Sequence, residues 1–192
     1  MDAGATGVGS EIERLEEHLV AEHKRIAERK RQMPRQEVQD YTLTGPKGPV
    51  KLSDLFGSKR DLILIHNMGK GCRYCTLWAD GLNGVLPHLE DRAAFVVCSP
   101  DSPETQQQFA QSRGWKFRMV SGHGSNFTQD MGFRSEEGGW EPGVSTFQRS
   151  SDGKIVRVAH APFGPFDPFC VTWHLFALLG DGVSDWEPKY KY

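Results

Sequence analysis

Apolar positions along this chain fall into three kinds of pattern, and each predicts a different element. Between Ser10 and Gln32, Ile12, Leu15, Leu19 and Ile26 stand at three-, four- and seven-residue spacing in a charged background, the stripe of an amphipathic helix. Ser10 and Glu13 form a capping box at its start. Acidic residues lead, basic residues close, and Pro34 stops it, so the N-terminal charged helix is expected over 10–33. Residues 1–9, small and Gly-rich, predict a disordered tail. The stripe is thin. It either lies on the domain that follows or, as a short a/d-like seam, joins two copies in a homodimer through this helix.

The second pattern is the continuous apolar run. Leu62 to Ile65 in "DLILIH" and Ala93 to Val97 in "AAFVVCS" show no alternation, as in strands buried on both faces of a parallel sheet. The third is alternation, in "VSTFQRSSDGKIVRVAH", which predicts a hairpin around Asp152-Gly153. Between these, "YTLTGPKGPVKLSDLFG" reads as two short extended pieces about a Gly/Pro turn, then a helical turn after Ser53. "SPETQQQFAQSRG" is a helix with Ser102 as N-cap, Pro103 first and Gly114 last. "KFRMVS" is a strand, "NFTQDMGF" a short helix, and "DPFCVTWHLFALLG" a final amphipathic helix stopped by Gly180. Strands and helices alternate and a hairpin follows, so the expected class is α/β with a mixed sheet.

Composition narrows the picture. A 38% hydrophobic and 25% charged content with formal net charge −2 describes a soluble globular protein without a nucleic-acid or anionic-membrane partner. No apolar run approaches the roughly 20 residues of a membrane span, and the start shows no secretory signal. The expected location is therefore cytoplasmic. Four cysteines are too few for a disulfide scaffold, and in that compartment a CxxC pair serves catalysis or metal binding more often than permanent cross-linking.

Such a pair stands in "HNMGKGCRYCTLWADGLNG", residues 66–84, directly after the first buried strand. Cys72 and Cys75, opening a helix at a strand-to-helix junction, resemble the active-site segment of the thioredoxin fold. More narrowly, "GCRYC" followed by "WADGLNG" is similar to the family called domain of unknown function 899, described as predicted dithiol-disulfide oxidoreductases. The resemblance covers residues 35–180 and leaves 181–192 as a C-terminal tail. It implies a thioredoxin-like three-layer α/β/α sandwich with a mixed central sheet, carrying the N-terminal helix as an extension. His66 lies six residues before Cys72, where thioredoxins carry a buried aspartate that takes protons during exchange. "GVSTF" falls where they have a substrate-contacting segment, and Ser145 falls on its cis-proline position. The serine leaves more room beside the sulfurs for a metal or small molecule. Peroxiredoxins carry a threonine three residues before their reactive cysteine; Gly69 stands there, so peroxide reduction by that mechanism is not expected.

The residues themselves suggest roles. At a helix start, Cys72 faces unpaired backbone N–H groups, which favour thiolate. Lys70 and Arg73 add positive charge, so Cys72 is the expected nucleophile, with Cys75 one turn deeper to resolve a mixed disulfide. His66, neutral if buried, is the candidate base for Cys75. Trp78 is expected to cap the core and Asp80 either to orient the site or to serve structure. The reading is a thiol-disulfide oxidoreductase acting on a disulfide-containing protein or small thiol substrate with an external electron donor, and with no cofactor or metal assigned. The alternative is a metal-binding or redox-sensing module without turnover. Cys98 reads as a small core hydrophobe; Cys170 and His174, at i and i+4, as core and interface rather than ligands. "DWEPKYKY" at the end has the aromatic content to strap the tail onto a surface.

Overall fold

A computed structural model describes residues 3–192, with side chains from Gly7 onward. The chain divides into two units, one ending at Arg35 and the other running Gln36–Tyr192. The first is a single helix, α1, Ala3–Gln32. Met1 and Asp2, the start of the expected tail, lie outside the described residues; from Ala3 the chain is helical, earlier than the predicted start at Ser10. Ser10 is thus an interior residue rather than a cap. Its hydroxyl donates to the Gly7 carbonyl at 2.9 Å, the back-bond that lets serine sit inside a helix.

The second unit is built on one eight-stranded sheet in the order β1-β8-β7-β4-β5-β6-β2-β3. Its strands are β1 Gln36–Val38, β2 Thr42–Gly45, β3 Gly48–Lys51, β4 Asp61–His66, β5 Ala94–Ser99, β6 Arg118–Ser121, β7 Gly143–Arg149 and β8 Ile155–Pro162. Strands β4, β5 and β6 run parallel, and every other pairing is antiparallel. The connecting helices are α2 Arg73–Gly84, α3 Leu86–Arg92, α4 Pro103–Arg113, α5 Phe127–Asp130 and α6 Val171–Phe176, with a 3-10 turn at Leu52–Phe56. The predicted parallel core, hairpin and α4 are all present. In α4 the Ser102 hydroxyl accepts from Thr105 N–H, Pro103 opens the helix and Gly114 closes it at φ 69°.

Two elements differ from expectation. Helix α3, with Pro87 in its first turn, follows α2 at once. The last helix covers only Val171–Phe176 because 3-10-type bonds from Leu178 and Leu179 N–H tighten its end. The apolar residues beyond it do not extend a buried face: Leu178 is 81% exposed.

The two faces of the sheet carry separate cores, and this positions the site. Leu62 and Leu64 of β4 pack with Phe56 of the 3-10 turn, Phe127 of α5, Met131, Phe133 and Phe147. Ile65 packs on the other face with Trp78 and Ala79 of α2, Trp115, Phe163 and Trp173. Successive strand side chains alternate faces, so β4 delivers its odd and even positions to different layers. In β8 the register with β7 shifts between Thr146 and Phe147, leaving Val158 as a bulge; Arg157, on the face of Ile155, reaches into the first core.

Candidate functional site

Strand β4 ends at His66 and the chain reaches α2 through 67–72. Several bonds hold this loop. Asn67 N–H donates to the Cys98 carbonyl at 2.9 Å, and Asn67 Oδ1 accepts from Gly69 N–H at 2.7 Å. Asp101, in the loop after β5, accepts from Lys70 N–H at 2.7 Å. Gly69 sits at φ 94°, and a Cβ there would stand 2.9 Å from Asp101 Oδ2; only glycine fits this turn without strain.

Cys72 is the N-cap of α2. Its sulfur accepts from Cys75 N–H at 3.1 Å, so it occupies the place usually filled by a serine or aspartate oxygen. Cys75 is buried, Cys72 partly exposed, and both are free thiols. A hydrogen bond from the Cys75 thiol, together with backbone N–H groups of Cys75 and Tyr74, lowers the Cys72 pKa to about 6 against the opposing effect of burial. Cys75 moves the opposite way: its bond to Cys72, burial and the neighbouring negative sulfur raise its pKa. Met68 N–H points at the Cys75 sulfur from 3.4 Å. The pair is therefore polarised, an accessible thiolate beside a protonated buried thiol.

The structure places the other expected site residues as follows. Lys70 is exposed and contributes only its backbone N–H to the loop. Arg73 turns to Glu187, 2.9 Å away, so the thiolate owes its stability to α2's own N–H groups and Cys75 rather than to these cations. Trp78 is buried as expected and donates from Nε1 to Asp167 at 3.0 Å. Asp80 does not orient the cysteines. It accepts from Arg113 and, at 2.8 Å, from Trp115 Nε1, tying α2 to the end of α4.

His66 and Ser145 are brought together, with the His66 ring in the layer opposite α2. His66 Nε2 and Ser145 Oγ lie 2.9 Å apart, and Arg157 donates to Ser145 Oγ at 3.1 Å and to the Met131 carbonyl at 2.8 Å. The imidazole stacks on Phe133, ring centroids 3.9 Å apart, and on Phe127 at 5.7 Å. Both rings belong to the first core, on the face away from α2. Gly143, paired with His66 across the strands, permits this: a Cβ on it would stand 2.2 Å from Phe133. The ring expected to serve as base for Cys75 packs in the layer opposite α2, because the even-numbered positions of β4 face that way. Burial, then the charges of Arg157 and His160, hold His66 well below the ordinary histidine pKa. Its Nδ1 and Arg157 Nε make no hydrogen bond within the protein. Ser145 lies mid-strand opposite Leu64 and His160, its hydroxyl taken up by His66 and Arg157, while Pro142 and Gly143 stand at the strand's head.

Sequence reasoning missed Asn67, Met68 and Asp101. A polar, glycine-rich loop after a buried strand was the available signal, but two of the three act through partners distant in sequence. Cys98 is buried, its thiol pushed up to about 12. His174 Nε2 bonds to the Asp167 carbonyl at 3.0 Å. Among the described residues, no group of three or more His, Cys, Asp or Glu is arranged to hold a metal ion, and no helix is long and apolar enough to cross a membrane.

Comparison with known proteins agrees with this architecture. The model of a family described as "Bacterial protein of unknown function (DUF899)" matches residues 11–184, and the chain belongs to that family. No curated protein matches it in sequence. Among solved structures it resembles the peroxidoxin BcpB from Mycobacterium tuberculosis (TM-score 0.54, 21% identity, 67% of this chain and 84% of that one). It also resembles reduced Prx3 from Vibrio vulnificus in complex with H2O2 (TM-score 0.56, 13% identity, 70% and 90%). A third is peroxiredoxin Q from Xanthomonas campestris (TM-score 0.54, 18% identity, 63% and 78%). At these identities the likeness shows the fold, a thioredoxin-like α/β architecture.

Proposed function

We propose that this member of the DUF899 family is a thiol-disulfide oxidoreductase in which Cys72 attacks and Cys75 resolves. One observation carries the reading: the Cys75 N–H and thiol both point at Cys72 Sγ and bring its pKa to about 6, so near neutral pH the accessible sulfur is a thiolate and its neighbour holds the proton. The Cys72 thiolate attacks one sulfur of a substrate disulfide. That S–S bond breaks, the second substrate sulfur leaves as thiolate, and a mixed disulfide with Cys72 remains. Once Cys72 is bonded, its negative charge no longer opposes ionisation of Cys75. Cys75 then gives its proton to solvent or to the departing thiolate, with Met68 N–H stabilising the sulfur it leaves behind. It attacks Cys72 Sγ, releases the second thiolate and closes a Cys72–Cys75 disulfide. Two electrons have passed to the substrate, and an external dithiol must return them.

The neighbours' names suggest a second reaction, reduction of peroxide. The loop speaks against the peroxiredoxin route, since the position for a threonine is Gly69, where Asp101 already fills the space of a side chain. For metal binding the pair offers two sulfurs, and no third ligand joins them among the described residues. Incubation of the reduced protein with oxidised glutathione tests the proposal. The parent should release two glutathione thiols per chain and lose two hydrogens in its mass, Cys75→Ser should stop at the glutathione adduct, and Cys72→Ser should slow release more than about 100-fold. Equal rates for Cys72→Ser and parent would refute it.

A further inference from the structure

Beyond the cysteine pair, the C-terminal segment shows a placement that the mechanism does not use. Residues 183–192 have no regular structure, yet they are held at both ends of their path. Val183 and Trp186 belong to the α2-side core. Trp186 packs edge-on against Trp173 at 5.7 Å and Phe176 at 4.8 Å between ring centroids, and Trp173 in turn stacks on Tyr74, one of the two residues between the cysteines. Pro188 is buried. From there the chain is latched at two places, to α2 beside Cys72 and to α4. Glu187 pairs with Arg73, the first residue of α2, at 2.9 Å. The Tyr190 carbonyl accepts from Arg113 Nη1 at 2.6 Å, and its ring meets Phe109 edge-on at 6.3 Å. Arg113 is itself fixed by Asp80 of α2. The Tyr190 phenol lies within reach of the sulfur's charge: burial, then Cys72, raise its pKa.

We propose that this segment is a strap across the approach to Cys72, which admits small disulfides and excludes protein-sized ones until its end, residues 187–192, lifts. The steric part stands on Glu187's pairing with Arg73, the neighbour of Cys72, and on Trp186 packing against Trp173, which stacks on Tyr74; the substrate class rests on the oxidoreductase reading. The strap's two halves differ in what holds them. Trp186 is fixed by aromatic packing in the core. Residues 187–192 are held by a half-exposed ion pair, one hydrogen bond to a carbonyl and one ring edge, each of them weak. Lifting the end uncovers Pro188 and the Tyr190 ring but leaves Trp186 packed in the core. The strap therefore works as a size filter at Cys72 and as a site where a partner competing for Arg73 or Arg113 could open access.

The test compares reagents of different size on the full chain. Cys72 is the one partly exposed cysteine, the other three being buried, so alkylation of the native protein reports its accessibility. Iodoacetamide and a maleimide carried on a long polyethylene glycol are applied to the parent, to Glu187→Gln and to Glu187→Gln/Tyr190→Ala. The double variant should react about tenfold faster with the bulky reagent and within about twofold of parent with iodoacetamide. Glu187→Gln, which alters only an exposed carboxylate, should shift the same ratio less. Equal acceleration of both reagents, or of neither, overturns the strap. Turnover with oxidised glutathione and with insulin disulfides separates the two proposals. Faster insulin reduction in the double variant supports both, whereas a changed alkylation ratio with neither disulfide reduced keeps the strap and removes the oxidoreductase reading.

Discussion

The chain puts two polar clusters beside the end of β4, and it treats them oppositely. At the start of α2, Cys72 has its pKa drawn down, keeps partial access to solvent and is held by N–H groups of its own helix. On the other face, His66, Ser145 and Arg157 are sealed among Phe127, Phe133 and Met131, and two of their nitrogens make no hydrogen bond. The first cluster favours the ionised form of an accessible sulfur. The second keeps a histidine neutral and places an arginine in a core without a carboxylate, which costs stability unless the surrounding packing over-determines it. Sharing a strand end thus does not make residues one site; the face on which each side chain leaves the strand does.

The largest test of that separation is His66→Ala. It opens a cavity between Phe133 and Ser145, so unfolding free energy should fall by about 2–4 kcal/mol in urea titration, while resolution of the Cys72 mixed disulfide keeps its parent lifetime in trapping kinetics. Accumulation of the mixed disulfide would show that the clusters are coupled after all.

How much of this could be read beforehand depended on where the relevant partner lay. Strands β4 and β5 were legible from their apolar runs, and α4 from Ser102, Pro103 and Gly114, because those signals are local. The same apolar run hid the orientation of His66: a strand buried on both faces has no polar alternation to mark its sides. Asp80 was ambiguous because Arg113 and Trp115, its partners, lie more than thirty residues on. Strand β1 is only three residues and exists through pairing with β8, so no window of sequence could contain its signal. The last helix was drawn too long because exposed Leu178 and Leu179 continue an apolar pattern without being buried.

A smaller effect sharpens the reactive side. Iodoacetamide alkylation of Cys72 across pH should rise with a midpoint near about 6. Cys75→Ala removes the thiol that donates to it and should move that midpoint upward by more than about one pH unit. An unmoved midpoint would assign the lowered value to the helix N–H groups alone.

The smallest expected effect belongs to the sealed side. His66 has a folded pKa below its unfolded value near 6.5, so under acid the unfolded chain binds a proton that the native state refuses. Its contribution is present above about pH 6.5 and is lost as pH falls from there, with a slope of at most about 1.4 kcal/mol per pH unit. The difference in stability between parent and His66→Gln, followed by urea unfolding between pH 7 and pH 5, should shrink in that direction. A difference independent of pH would mean that His66 titrates normally in the fold.

The polarised pair also fixes the electron-to-proton ratio of the couple. When a Cys72–Cys75 disulfide accepts two electrons above about pH 6, one sulfur stays ionised and only the other takes up a proton. The midpoint potential then drops by about 30 mV for each pH unit, against about 59 mV where both sulfurs protonate. Near neutrality the couple's own potential would be about half as sensitive to pH as that of a dithiol with ordinary pKa values, so exchange with such a dithiol gains a pH dependence of about 30 mV per unit. Below about pH 6 the Nernst slope steepens, and the bend marks the pH at which Cys72 takes up a proton of its own.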